Sequence, residues 1–376
     1  VHDHGAGGHL NALSELVDDE GGIIYLDKLP LGDPTLSAKE IIGNESQERM
    51  GLLMKQKDIE FLEKVAQRER APMYEVGHIT GNECFIMEDS RNHQRPIDLR
   101  LEYLFGKPPR LVLEDKSKPD ESEFLVYNPS LWHEYLVQVL QCEAVACKDW
   151  LTNKVDRSVT GRIAHQQTAG PLQLPLNNLG VVALDYDGIT GIATAIGHAP
   201  AVGLIEPEAA SRLSVAEALT NLVWAPLAYG LKGVSLSANW MWPCYNDGEF
   251  ARLYRAVEAL SQFTIALGIN IPTGKDSLSM TQKYPDGSKV LSPGTVIISA
   301  AAEVSNIRNV VSPVIQTVYP SYLIYIDFSN GEFHLGGSIF AQILNSVGET
   351  PPDVKDAAYF VRAFHAVQQL VEQNYI

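Results

Sequence analysis

The stretch Ser211-Arg212-Leu213-Ser214-Val215-Ala216-Glu217-Ala218-Leu219-Thr220-Asn221 decides how the chain reads. Leu213, Val215, Ala216, Ala218, Leu219 and the following Leu222 recur at spacings that bury most of a helix. Ser211 or Ser214 is the expected N-cap. Glu217 and Asn221 stand four apart and so leave the helix on one side, from successive turns. A carboxylate and an amide stacked there offer two oxygen ligands to a hard cation such as Mg²⁺. The plain alternative is a polar helix edge held by side-chain hydrogen bonds.

The 376 residues around that helix are too many for one small core, and two or three domains are expected. A hydrophobic content of 45% excludes wholesale disorder. A formal net charge of −17 argues against a nucleic-acid surface. Apolar runs such as 295–302 are strand-length, so no membrane span is expected. Cys84, Cys142, Cys147 and Cys244 include no Cys-x-x-Cys pair and read as reduced thiols of a cytoplasmic protein. The chain opens on Val1 without an initiator Met or a signal peptide, and it is read as a fragment of a longer polypeptide.

Upstream, His2-Asp3-His4-Gly5-Ala6-Gly7-Gly8 forms a glycine-rich turn into a helix expected over 9–17. Glycines admit close backbone approach and a helix start favours anions, which makes Gly5 and Gly7 candidates for nucleotide binding. Asp3 is a metal candidate beside such phosphates. His2 and His4, alternate residues of a strand, share a face and are further candidates. An ordinary strand–helix turn is the alternative. The run Gly43-Asn44-Glu45-Ser46-Gln47-Glu48-Arg49-Met50 is dense in donors and acceptors and precedes apolar residues 52–54, read as a buried strand. It suits a loop that grips a polar ligand, or a solvated turn.

The remaining pattern alternates helix and strand, as in an α/β or α+β fold. Helices are expected over 57–70, 132–146, 250–267 and 354–375. Strands are expected over 22–26, 73–79, 84–87, 179–186, 191–196, 202–205, 234–238, 295–304 and 321–327. The run 269–280 ends the unit of the 250–267 helix, and in it Gly274-Lys275-Asp276-Ser277 echoes Gly43-Asn44-Glu45-Ser46. That echo hints at a duplicated architecture, and Lys275 offers a positive charge for phosphate. Domains are expected at 1–105, 156–318 and 319–376, joined by a crossing segment at 106–155.

These motifs taken together, with Leu236-Ser237-Ala238-Asn239-Trp240-Met241 and Pro272-Thr273-Gly274-Lys275-Asp276-Ser277-Leu278-Ser279-Met280, closely resemble the family of large, single-chain phosphoribosylformylglycinamidine synthases. The resemblance implies the aminoimidazole ribonucleotide synthetase-like superfamily fold, pseudo-duplicated. Residues 1–105 would be the C-terminal-type α+β domain of a first half. Residues 156–318 would be the N-terminal-type α/β domain of a second half, and 319–376 the start of its C-terminal-type domain. It further implies ATP, Mg²⁺, glutamine and formylglycinamide ribonucleotide as reactants of a cytoplasmic purine-biosynthesis ligase. An amide oxygen is activated by phosphoryl transfer, and ammonia then displaces phosphate.

By that resemblance Asp3 is a Mg²⁺ ligand, and Glu45, Ser46, Gln47, Lys275 and Ser277 are substrate contacts, with Asp276 in the pseudo-symmetric loop. Asn177 contacts a second, auxiliary ATP or ADP, whose Mg²⁺ is held by Asn178, Glu217 and Asn221. Relatives often carry Ala-Asp where this chain has Asn177-Asn178, so a neutral amide replaces a charged ligand. The glutaminase domain and the first N-terminal domain of the parent chain are the missing partners. The isolated chain is expected to make no product and to form a homodimer through the strands at 179–186, 191–196 and 202–205. Other readings are a selenophosphate synthetase-like or thiamine-phosphate kinase-like ATP user, or a regulatory nucleotide-binding protein of this fold.

Overall fold

Val1–Val112 and Leu113–Ile376 form two units. The computed structural model describes residues 1–45, 48–107, 112, 114–115, 123–152, 161–315 and 321–376. The first unit contains β1 (His2–Asp3), α1 (Gly8–Leu16), β2 (Gly22–Tyr25), α2 (Ala38–Ile42), β3 (Met50–Gly51), α3 (Ile59–Glu69), β4 (Gly77–Ile79), β5 (Cys84–Asp89), β6 (Gln94–Arg100) and α4 (Leu101–Leu104). Its four-stranded sheet runs β4-β2-β5-β6, with β2 and β5 parallel. A parallel pair needs a long crossover, which the segment carrying α2 and α3 supplies. Leu13 and Val17 pack with Ile24, Ile41, Phe85, Met87 and Leu101 into the unit's core. The helical turn α2 opens on a capping box, in which the Ser37 hydroxyl accepts from Glu40 N and the Glu40 carboxylate takes Ser37 N. The strand expected at 52–54 does not form; Leu52 and Leu53 are 50% and 54% exposed, with no strand paired to them.

The second unit contains α5 (Trp132–Gln141), α6 (Asp149–Thr152), β7 (Ile163–His165), β8 (Thr168–Ala169), β9 (Leu174–Pro175), β10 (Leu179–Ala183), β11 (Gly191–His198), α7 (Pro200–Gly203) and α8 (Pro207–Leu222). It continues through β12 (Ser235–Met241), α9 (Glu249–Leu267), β13 (Asn270–Ser277), β14 (Thr281–Lys283), β15 (Lys289–Leu291), β16 (Thr295–Val304), α10 (Ile339–Ile343) and α11 (Ala357–Glu372). A six-stranded sheet runs β13-β12-β16-β11-β10-β7, antiparallel except for the β12–β13 pair. Along β11, Ala193, Ala195 and Gly197 turn inward while Ile192, Thr194, Ile196 and His198 are exposed. These small inward residues let α8 lie directly on the sheet. At Gly197 an added Cβ would stand 2.1 Å from Ser214 O and 2.5 Å from Ala218 N. Val215, Leu219 and Leu222 of α8 meet Leu260 and Phe263 of α9, Phe360 and Phe364 of α11, and Ile298 and Ala300 of β16 in the main core.

Several expectations are corrected here. Helix α8 begins at Pro207, four residues before Ser211, because proline's fixed φ suits a first helical position. Ser211 and Ser214 are therefore buried inside the helix, and the Ser214 hydroxyl donates to Ala210 O at 2.8 Å instead of capping. The strand expected at 202–205 is the helix α7 and the turn after it, started by Pro200. Lys275, Asp276 and Ser277, which the resemblance placed in a loop, are the end of an edge strand, β13, paired to β12. Residues 321–327 form no strand; Tyr322 and Leu323 are 90% and 94% exposed.

Candidate functional site

In the first unit the glycine turn and the Glu45 loop meet. β1 pairs with β3, and His4 N donates to Arg49 O at 3.0 Å. Gly7, at φ 82°, is the residue before α1, and its N–H donates to a Glu45 carboxylate oxygen at 3.3 Å. A Cβ on Gly8 would stand 2.6 Å from Asn44 O, so the two segments touch backbone to backbone. Asp3 and Gly7 are exposed and Gly5 is half-buried in this arrangement; Ser46 and Gln47 lie outside the described residues.

His2 and His4 both reach α1, at Glu15 and at His9. His2 Nδ1 lies 3.2 Å from Glu15, whereas His4 is buried edge-on to His9, ring centroids 4.9 Å apart. Burial pushes the His9 imidazole down to about 4, helped by His4 and Arg49. Burial and Arg49 lower His4 as well.

In the second unit the β10 ladder begins at Leu179 opposite Ala195, so Ile196 to His198 have no β10 partner. α8 crosses this open end. Glu217 Oε2 accepts from His198 N at 2.6 Å, and Asn221 Nδ2 donates to Ile196 O at 3.2 Å. The helix pair thus satisfies unpaired strand backbone, and one oxygen of each side chain, Oε1 and Oδ1, is left outside those two bonds. Glu217 and Asn221 line a cavity of about 730 Å³ together with Asn177 and Asn178, which immediately precede β10. Asn177 is held by donation to Gln166 O at 2.6 Å. It also bonds the half-buried His165, whose imidazole desolvation keeps below its ordinary pKa.

A second cavity, of about 800 Å³, opens beside the first and shares His198 and Glu217 with it. Its wall includes Trp224, Asp327, Phe328, Phe333 and Asp353. Sequence reading singled out neither His198 nor Asp327. The signal at Asp327 was the turn sequence Asp327-Phe328-Ser329-Asn330-Gly331, in which the carboxylate accepts from Ser329 N, the Ser329 hydroxyl and Gly331 N. Burial raises this carboxyl, but those bonds outweigh it and hold its pKa below the ordinary value.

Helix α8 is clamped on both sides of Glu217. Arg212 makes a bidentate pair with the buried Asp353 at 2.7 and 2.6 Å. Buried Gln368 donates to Val223 O and Ala225 O at 2.6 and 2.8 Å and accepts from Leu227 N at 3.0 Å. Lys275 and Ser277 are not brought to either cavity; on β13 the Lys275 ammonium donates to the Ser277 hydroxyl at 2.6 Å. All four cysteines are free. Burial, with Glu249 and Asp276, pushes the Cys244 thiol up to about 11, far from a thiolate nucleophile at neutral pH. Among the described residues no three His, Cys, Asp or Glu side chains cluster as a metal site, and no helix is long and apolar enough to cross a membrane.

In the second unit, then, a clamped helix lies over a mixed sheet with amide and carboxylate side chains lining a cavity. Residues 147–303 match the FGAR-AT PurM_N-like domain, and residues 1–88 match the C-terminal domain of AIR synthase related proteins. Over its whole length the chain is 43% identical to human phosphoribosylformylglycinamidine synthase and 38% identical to the probable chloroplastic/mitochondrial enzyme of Arabidopsis thaliana. It spans 29% and 28% of those relatives' lengths and is a homologue of one segment of them. Thermotoga maritima PurL, solved with ATP and with FGAR, has the same fold over 83% of this chain and 47% and 46% of that one. The TM-scores are 0.59 and 0.57, at 19% and 20% identity.

Proposed function

We propose that this chain is part of an ATP-dependent amidoligase that converts formylglycinamide ribonucleotide, glutamine and ATP to formylglycinamidine ribonucleotide, glutamate, ADP and phosphate. The observation that carries the reading is identity at 38–43% along the entire chain to enzymes of that name. The Thermotoga structures with ATP and FGAR support it through the fold. On this reading 1–105 and 319–376 are the C-terminal-type domains and 156–318 the N-terminal-type domain, in a glutamine amidotransferase of the cytoplasm.

Two roles follow for the chain's own residues. Around Asp3, Gly5, Gly7 and Glu45 the glycine turn presents backbone amides to a phosphate-bearing ligand, with Ser46 and Gln47, next in sequence, and Lys275 and Ser277 as further substrate contacts. At the other site Asn177 borders a bound ATP or ADP. Glu217 Oε1, Asn221 Oδ1 and the Asn178 amide oxygen form a hard-oxygen set that fits Mg²⁺, with a single negative charge. When bound, the cation offsets phosphate charge. The backbone bonds of Glu217 and Asn221 orient those oxygens beforehand, which lowers the cost of binding. The open sheet face, where Ile196 is 56% exposed, is the surface for a homodimer of the isolated chain.

A chimaera tests the function: this chain replaces the corresponding segment of the human relative, and formylglycinamidine ribonucleotide formation is assayed with glutamine and with ammonium. Activity within about tenfold of the parent is expected. A folded chimaera without turnover under either nitrogen source overturns the reading.

A further inference from the structure

We propose that the two cavities of the second unit are one two-lobed ligand site and that the His198 imidazole is its phosphate contact at the junction. The proposal rests on the nucleotide reading above and adds to it a residue that sequence motifs did not point to. His198 and Glu217 are the residues common to both cavities. They are tied together, since His198's own N–H fixes the Glu217 carboxylate at 2.6 Å. His198 closes β11 beyond the last residue paired to β10 and stands in the outward phase of that strand.

The lobes differ in which side chains line them. Thr194, Ser237, Ser299 and the asparagines line one, with Leu236 and Ile196; the aromatic rings of Trp224, Phe328 and Phe333 line the other, with the Asp327, Glu332 and Asp353 carboxylates at its wall. A ligand with a planar apolar half and a polyanionic half matches that division, its base on the aromatic side and its phosphates toward the junction. A polyanion also needs a donor of positive or partial positive charge. No lysine or arginine is among the described residues lining either lobe. The lining histidines are His198 and His334, and His334 Nε2 faces the Glu332 carboxylate at 3.4 Å. Hydroxyl and amide donors line the lobes as well, but of the two residues common to both lobes Glu217 is an acceptor, so His198 is the side-chain donor at the junction, beside the carboxylate that carries the cation.

Calorimetric titration of the chain in Mg²⁺ with ADP and with adenosine tests this. In His198→Ala the ADP affinity falls about tenfold or more, the scale of a lost hydrogen bond to a charged group, while adenosine binds as before. His198→Gln, which keeps a neutral donor, recovers part of the loss. In wild type the His198 C2–H proton resonance moves as ADP saturates. Equal ADP affinity in wild type and His198→Ala overturns the assignment, as does an unmoved His198 resonance at saturation, a readout that holds even where the alanine variant unfolds. Wild-type chain that binds neither ligand overturns the nucleotide reading itself and this inference with it.

Discussion

The two candidate sites use similar residue types and hold them in opposite ways. In the first unit the polar groups face one another. Glu45 takes the Gly7 amide, and His4 and His9 are buried ring against ring. In the second unit the polar groups satisfy a strand end and still border open space. A buried helix carries them, and that helix is anchored from residues more than a hundred positions away. The contrast shows what opens a site. A short strand and a loop have no core of their own to hold side chains apart, so carboxylates and amides collapse onto each other. A helix packed on a sheet fixes its side chains against the core and can leave oxygens pointing at a cavity.

The largest expected effect breaks the scaffolded side of that contrast. Arg212→Met leaves the Asp353 carboxylate, 2% exposed, without its bidentate partner and costs about 3–5 kcal/mol. All five tryptophans, Trp132, Trp150, Trp224, Trp240 and Trp242, lie in the second unit, so urea unfolding followed by tryptophan fluorescence reads that unit. An unchanged midpoint would mean that the clamp does not hold α8.

A somewhat smaller effect belongs to the collapsed side and depends on pH. His9 is held neutral with a pKa of about 4 in the folded chain, against an unfolded value near 6.5. The unfolded state therefore binds more protons between those values. Stability contributed by the buried neutral ring is complete above about pH 6.5 and is lost as pH falls toward 4, a drop on the order of 3 kcal/mol. His9→Phe removes the larger part of that slope from the first unit and leaves the share of His4, read by circular dichroism or by histidine proton resonances. A wild-type unit whose stability is flat from pH 7 to 4.5 would contradict the burial.

The smallest effect tests whether the Glu45–Gly7 bond is structural or a placeholder for ligand. Glu45→Ala gives up one exposed hydrogen bond and lowers stability by less than about 1 kcal/mol. In the chimaeric enzyme the same change raises the KM for formylglycinamide ribonucleotide about tenfold. Lost stability with an unchanged KM would place Glu45 on the structural side.

Much of the fold was legible because its helices and central strands carry strong patterns. The alternation of small and outward residues along β11 and β16, and the apolar rows of α8 and α9, are visible without coordinates. The errors have physical causes. At 202–205 the β-formers Val202 and Ile205 outvoted Pro200, whose fixed φ starts a helical turn. β13 went unread because edge strands carry Thr, Gly, Lys and Asp, with no buried face to pattern. The residues at 321–327 have a strand's composition but no neighbouring strand, and pairing makes a strand. The echo between 43–46 and 274–277 did not become shared local structure among the described residues: 43–45 follow α2 outside any strand, whereas 274–277 lie in β13.

By itself the sequence determined that Glu217 and Asn221 leave one helix on the same side, because an α-helix brings residues four apart into register wherever it sits. It also determined that the glycine turn opens a helix. Only the tertiary structure decided that Asn177 and Asn178 face that pair, that β10 stops short of Ile196, and that His198 joins two cavities. Helix periodicity is a local property of consecutive residues. A cavity, a strand end and the Arg212–Asp353 clamp depend on which distant segments the core draws together, and no spacing along the chain encodes that.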